Sequence, residues 1–257
     1  VKIVASHAGV TVGEDGGSHQ SLEDIAVMRV LPNMTVIVPA DGVETQLAIE
    51  AVANHKGPCY VRTGRNKVPV LFGPDYTFQI GKAHMFHAGK DAAIIATGIL
   101  VAEALKARET LLAEGLDVGV INMSTIKPLD EEAVRSAAKR CGAIVTAEEH
   151  SIIGGLGSAV AEVLAESSPA PLVRIGVRDQ FGTSGEPGAF SEPVVRAMAA
   201  AVERARGRTH RGDRRTGVVL GRGRVGGAAV RAGPAGRNAT RRAGDPSPDR
   251  RTQRAAP

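Results

Sequence analysis

The chain has no tryptophan, and aromatic residues make up only 3% of its 257 positions. A core without large rings must be aliphatic, and the 43% hydrophobic content supplies it mainly as Val, Ile, Leu and Ala. Cysteine occurs twice, as Cys59 and Cys141, without the CxxC or Cys/His spacing of a metal or redox site, so two ordinary reduced thiols are expected. No apolar run approaches the roughly eighteen residues that a membrane span requires, and no basic segment precedes an apolar one at the start. The reading is a cytoplasmic protein with no membrane partner, and the missing initiator Met suggests a fragment.

Lysine and aromatic residues are missing from Arg204 to Pro257, which holds fifteen Arg and three Asp. That surplus of +12 exceeds the +5 of the whole chain, so Val1 to Glu203 is net acidic. With one short apolar run, Val218 to Leu220, the segment cannot bury enough surface to offset the entropy of ordering, and disorder is expected over 204–257. An Arg/Gly tether for RNA or DNA calls for rings that stack on bases or a repeated RGG unit. Neither is present, which argues against nucleic acid and for a solvated tail or the translation of a shifted reading frame.

Between the ends, strands and helices alternate. MTVIVP, Met34 to Pro39, reads as a short buried strand; the next helix takes Asp41 as N-cap, Glu44 three residues on as in a capping box, and Gly57 past its end. PCYVRTG is a further strand, and Phe72 to Gly89, mixing Gly, Pro, His and aromatics, reads as a linker. DAAIIATG, LDVGVINM, GAIVTAEE and APLVRIGV are four strand-like runs separated by helical patterns. One helix places Leu100, Val101, Ala104, Leu105, Leu111 and Leu112 on a stripe, another Leu129, Ala133, Val134 and Ala137, and a last helix is expected over Ser191 to Ala205. This is an α/β pattern with a mostly parallel sheet covered on both faces. The second unit, Gln79 to Glu203, is large enough for a complete small domain, whereas the first has too few strands for an independent sheet.

His7, Asp15 and His19 lie in SHAGVTVGEDGGSHQ, a glycine-rich loop entered from the strand-like VKIVAS. Loops of this kind place proton donors and acceptors around a polar substrate, and their glycines let backbone approach a ligand. On the residues alone, a catalytic role and an ordinary polar loop both stay open, while His-x7-Asp-x3-His on flexible backbone fixes no tetrahedral metal geometry. SIIGGLGSAV reads as a tight strand-to-helix turn rather than a phosphate loop, Glu148, Glu149 and His150 as an interface or solvated cluster, and Lys127-Pro128 as the end of a loop.

SHAGVTVGEDGGSHQSLEDIAVMRVLPNMTVIVPAD resembles the sugar-binding segment of transketolases. DAAIIATGILVAEAL, VINMSTIKPLDEEAV and IVTAEEHSIIGGLGSAVAEVLAE resemble the C-terminal domain of the split bacterial and archaeal transketolases, in which two chains make the enzyme. The likeness covers Val1 to Gly188. It implies the end of a pyrimidine-binding domain over 1–75 and a transketolase C-terminal-like domain over 79–203, in an α/β fold. It further implies a transferase that moves a two-carbon ketol unit from a ketose phosphate to an aldose phosphate, with thiamine diphosphate and Mg²⁺ as cofactors.

By motif match, His7 would bind the phosphate or distal hydroxyls, Asp15 a hydroxyl near the reacting carbons, His19 the reacting oxygens, and Arg65 the phosphate, which its planar fork suits. His19 and Asp15 would thus be catalytic, and His7, Asp15 and Arg65 substrate-binding. The glutamate that activates the aminopyrimidine and the Gly-Asp-Gly run that holds the metal diphosphate are not found in this sequence. The cofactors are therefore expected to be bound mainly by segments outside this chain, which is expected to be inactive without the missing upstream segment and a diphosphate-binding partner; the partner is expected to be an N-terminal transketolase subunit or domain in a homodimer or heterotetramer. The alternatives are a 1-deoxyxylulose-5-phosphate synthase, a 2-oxoacid dehydrogenase beta subunit, or a non-catalytic truncated association module.

Overall fold

The computed structural model describes residues 1–210, and its N-terminal portion begins with β1 (Lys2–Ala5) running into a 3₁₀ turn at Val10–Asp15. There follow α1 (Asp24–Val30), β2 (Thr35–Ile37), α2 (Gly42–Asn54) and β3 (Cys59–Arg62). Asp41 caps α2 as expected: its Oδ1 accepts from the Glu44 N–H at 2.8 Å. Glu44 reaches back one residue further than a capping box requires, accepting from the Ala40 N–H at 2.7 Å. The other oxygen of Asp41 accepts from the Leu71 and Phe72 N–H groups at 2.6 and 3.0 Å, so one carboxylate fixes both the helix start and the chain leaving β3.

The C-terminal portion contains β4 (His84–His87), β5 (Ala92–Ala96), α3 (Leu100–Ala113), β6 (Val118–Asn122), β7 (Thr125–Lys127), α4 (Glu131–Cys141), β8 (Ile144–Ser151), α5 (Leu156–Ser167), β9 (Leu172–Val177) and α6 (Ser191–His210). Its sheet runs β4-β6-β5-β8-β9, parallel except for β4. β5 and β6 are buried at every residue, which is why they read as unbroken apolar runs rather than alternating ones. α3 buries Leu100, Val101, Ala104 and Leu111, while Leu112 from the same expected stripe is 47% exposed.

Two strands correct the reading of the sequence. The expected linker contains β4, which pairs antiparallel with β6 and lays His84 and Phe86 against Phe72 and Tyr76 in one ring cluster. β7, read as the end of a loop, pairs antiparallel with β2 and completes a first sheet of order β1-β3-β2-β7, otherwise parallel. The N-terminal portion thus gains its fourth strand from the C-terminal one. Lys127 Nζ donates to the carbonyls of Arg29 (2.9 Å) and Leu31 (2.6 Å), tying the borrowed strand to the end of α1.

A continuous core joins the portions: Ile25, Met34, Val36 and Tyr60 pack in one cluster with Ile95, Ile121, Ile126, Ile144 and Leu156. The last helix continues past the expected Ala205 to His210, since Val202 and Ala205 face the core and Arg206 pairs with Asp91 at 3.4 Å. The disorder expected over 204–257 does not hold for 204–210, which continue the helix, and the rest of that tail, 211–257, lies outside the described residues. Among the described residues no helix is long and apolar enough to cross a membrane, and Cys59 and Cys141 are free thiols.

Candidate functional site

The glycine-rich loop between β1 and α1 is held from below and from the side. From below, Asn66 Nδ2 and Arg65 Nη1, just past the end of β3, donate to the carbonyls of Thr11 and Val12. Arg65 Nη1 also binds Asp15 Oδ2 at 2.8 Å, the two side chains being 39% and 40% exposed. Two of the four expected site residues are therefore joined as a half-open ion pair. His7 and His19 are exposed; the imidazole of each makes one hydrogen bond, between Nδ1 and the preceding serine hydroxyl, Ser6 at 2.9 Å and Ser18 at 3.0 Å. His7 has φ 66°, a left-handed conformation uncommon for a residue with a side chain.

From the side, the segment after β9 covers the loop. Gln20 Nε2 donates to the Thr183 carbonyl at 3.1 Å, and the Gly185 N–H donates to the Gly13 carbonyl at 3.3 Å. The approach at Gly182 is so close that a Cβ there would overlap the Gln20 amide, which only glycine permits. Of these braces, Gln20 ends the SHAGVTVGEDGGSHQ motif and Asn66 follows Arg65, whereas residues 182–185 belong to no motif read from the sequence.

Behind the loop lies a buried polar cluster. Arg62 Nε pairs with Asp24 Oδ2 at 2.9 Å, and Tyr60 donates to the same oxygen at 2.6 Å. Arg62 Nη2 donates to the Glu149 carbonyl at 2.8 Å, and Glu149 Oε1 accepts from the Thr11 N–H. His150 donates from Nδ1 to the Ser151 carbonyl and accepts at Nε2 from the Ala26 N–H; burial pushes its pKa down, so it is the neutral tautomer that fits. Glu148 accepts from the Leu156 and Gly157 N–H groups at 2.7 and 2.8 Å. Burial raises its carboxyl to about 7 against those N–H groups and the Arg62 and Arg174 charges, which lower it. SIIGGLG is accordingly a turn whose helix N-terminus is already taken by a carboxylate.

The family model for the transketolase pyrimidine binding domain matches residues 1–70, and that for the transketolase C-terminal domain matches residues 81–197. The 6-deoxy-6-sulfo-D-fructose transketolase subunit SqwH of a Clostridium species is 44% identical over 211 residues, covering 79% of this chain and 66% of that one. An apulose-4-phosphate transketolase subunit of Phocaeicola vulgatus is 42% identical over 181 residues, covering 70% and 58%. A solved split gene transketolase, an inactive beta4 tetramer, superposes with a TM-score of 0.75 at 48% identity over 80% of this chain and 67% of that one. The chain belongs to the transketolase family and is a homologue of split transketolase subunits; its two sheets match the pyrimidine-binding and C-terminal domains. It spans 66% and 58% of the two curated relatives' lengths.

Proposed function

We propose that this chain is the sugar-binding subunit of a transketolase that moves a two-carbon ketol unit from a ketose phosphate to an aldose phosphate. The observation that carries the reading is the Arg65–Asp15 pair, which ties the segment after β3 to the loop bearing His7 and His19. Arg65 commits Nη1 to Asp15 and Val12, which leaves its Nε and Nη2 donors to hold a phosphate. Asp15, fixed by that bond, presents its other oxygen to a hydroxyl. His7 assists at the phosphate end, and His19 exchanges protons with the reacting oxygens.

The sequence contains no Gly-Asp-Gly run to hold the metal diphosphate of thiamine diphosphate, which in this family supplies the carbanion chemistry. The starts of α2, α4 and α5, where backbone N–H groups suit a diphosphate, are taken by Asp41, Asp130 and Glu148. We therefore assign the diphosphate and Mg²⁺ to a companion N-terminal subunit in a heterotetramer or comparable assembly and the activation of the aminopyrimidine to a segment outside this chain, with residues 1–75 and 79–203 as the two domains contributed here. A cytoplasmic location goes with that reading. The test is reconstitution: with the segment that supplies the aminopyrimidine-activating glutamate, a diphosphate-binding companion, thiamine diphosphate and Mg²⁺, the chain should convert a ketose phosphate. His19→Ala should lower kcat by roughly 100-fold, the low end of proton-transfer contributions. Full activity of His19→Ala would refute the assignment.

A further inference from the structure

Glu149 is not among the residues that meet the sugar in this reading, yet its carboxylate lies against the sugar loop. It stands on β8 in the second sheet, is 4% exposed, and accepts the Thr11 N–H of the N-terminal portion. Two residues earlier the loop leaves no room for a side chain: Gly9 has φ 104°, and a Cβ there would overlap the Glu149 carboxylate. The Gly9 N–H donates to the Gln20 carbonyl at 2.6 Å, so the point that rests on Glu149 is also where the two ends of the loop are tied. His7 precedes that point by two residues, and His19 precedes Gln20 by one. Glu149 is itself fixed through its carbonyl by Arg62, which Asp24 holds.

From this geometry we propose that Glu149 is a positioning residue that sets where His7 and His19 stand. The catalytic consequence rests on the transketolase reading above; the placement of the loop does not. The Thr11 N–H and the carboxylate form a buried charge-assisted bond, and deleting the carboxylate leaves that donor unpaired. The loop can then leave its seat, because Gly9 no longer meets a side chain. A glutamine keeps an acceptor oxygen in the same place.

The experiment combines amide hydrogen exchange with kinetics of the reconstituted enzyme on D-fructose 6-phosphate and L-erythrulose. Glu149→Ala should speed exchange across residues 7–20 by about tenfold or more while β5 and β6 stay protected. It should also lower kcat by about tenfold or more for both ketoses, through His19, and raise KM more for D-fructose 6-phosphate than for L-erythrulose, through His7. Glu149→Gln should restore both measurements. Gly9→Ala, which pushes a methyl into the carboxylate, should displace the same loop, and the double variant Gly9→Ala/Glu149→Ala should be no worse than the worse single one, because both act on one contact. Unchanged loop exchange in Glu149→Ala overturns the proposal. So does a rise in β5 and β6 as large as in the loop that Glu149→Gln fails to rescue, which marks a general loss of stability. If the unaltered enzyme converts no ketose phosphate, the transketolase reading falls, and the exchange result decides the role of Glu149 on its own.

Discussion

Arg65 serves two partners from different edges of one guanidinium, and that division gives a measurable signature. Arg65→Ala releases Asp15 and removes the phosphate donors together, so both a phosphorylated and an unphosphorylated ketose lose rate, but the phosphorylated one loses more. The ratio of kcat/KM for the two should fall about tenfold or more, since a charge-assisted bond to phosphate contributes about 1.5–3 kcal/mol. An unchanged ratio would remove Arg65 from the phosphate site. Glu148 makes a second prediction. Its folded pKa, about 7, lies above the ordinary 4.5, so the folded state holds the proton more tightly than the unfolded chain does. The stability it contributes is complete below pH 4.5 and is lost as pH rises through about 7. Relative to Glu148→Gln, the unaltered protein should lose about 3 kcal/mol over that window and then level off, which urea unfolding at a series of pH values will read. His7, Asp15, His19 and Arg65 could be picked out from a contiguous motif and one downstream arginine. The partner of Glu149 could not, because a contact between residues 138 apart is decided by how two sheets pack.

At the scale of elements, the caps were legible and the edges were not. Asp41 stood out because a short acid ahead of a helix, with Glu three residues on, has a local physical reason to be there. Its grip on Leu71 and Phe72 has no such local sign. Asp41→Ala should therefore cost more than a cap alone: about 1 kcal/mol for the cap and a similar amount for each further N–H left unpaired, roughly 3 kcal/mol by chemical denaturation. A loss near 1 kcal/mol would mean that water replaces the two loop bonds. β4 and β7 escaped notice for a shared reason. HMFH is four residues long and TIK three, too short for an alternation to register, and each is a strand only because a distant neighbour offers it an edge.

At the scale of the molecule, the two portions share an edge strand and a core cluster. A fragment of residues 1–75 lacks β7 and the Ile95, Ile121, Ile126 and Ile144 side of its core. Circular dichroism and amide exchange should find it unfolded, whereas residues 1–210 should unfold in a single cooperative transition. A folded 1–75 fragment would show that three strands and two helices suffice. The full chain without a companion should turn over no ketose phosphate even with thiamine diphosphate and Mg²⁺ added, because the glutamate that activates the aminopyrimidine and the Gly-Asp-Gly run for the metal diphosphate are not found in this sequence.

The borrowed strand also bears on recombination between relatives. A chimera joined in the segment between β3 and β4 looks like a clean exchange of domains, but it would import a foreign β7 as the edge of the first sheet and a foreign residue in place of Glu149 under the sugar loop. A crossover that respects the molecule must carry Thr125–Lys127 and Glu149 along with the N-terminal portion, so the unit of exchange is discontinuous in sequence even though the fold is continuous in space.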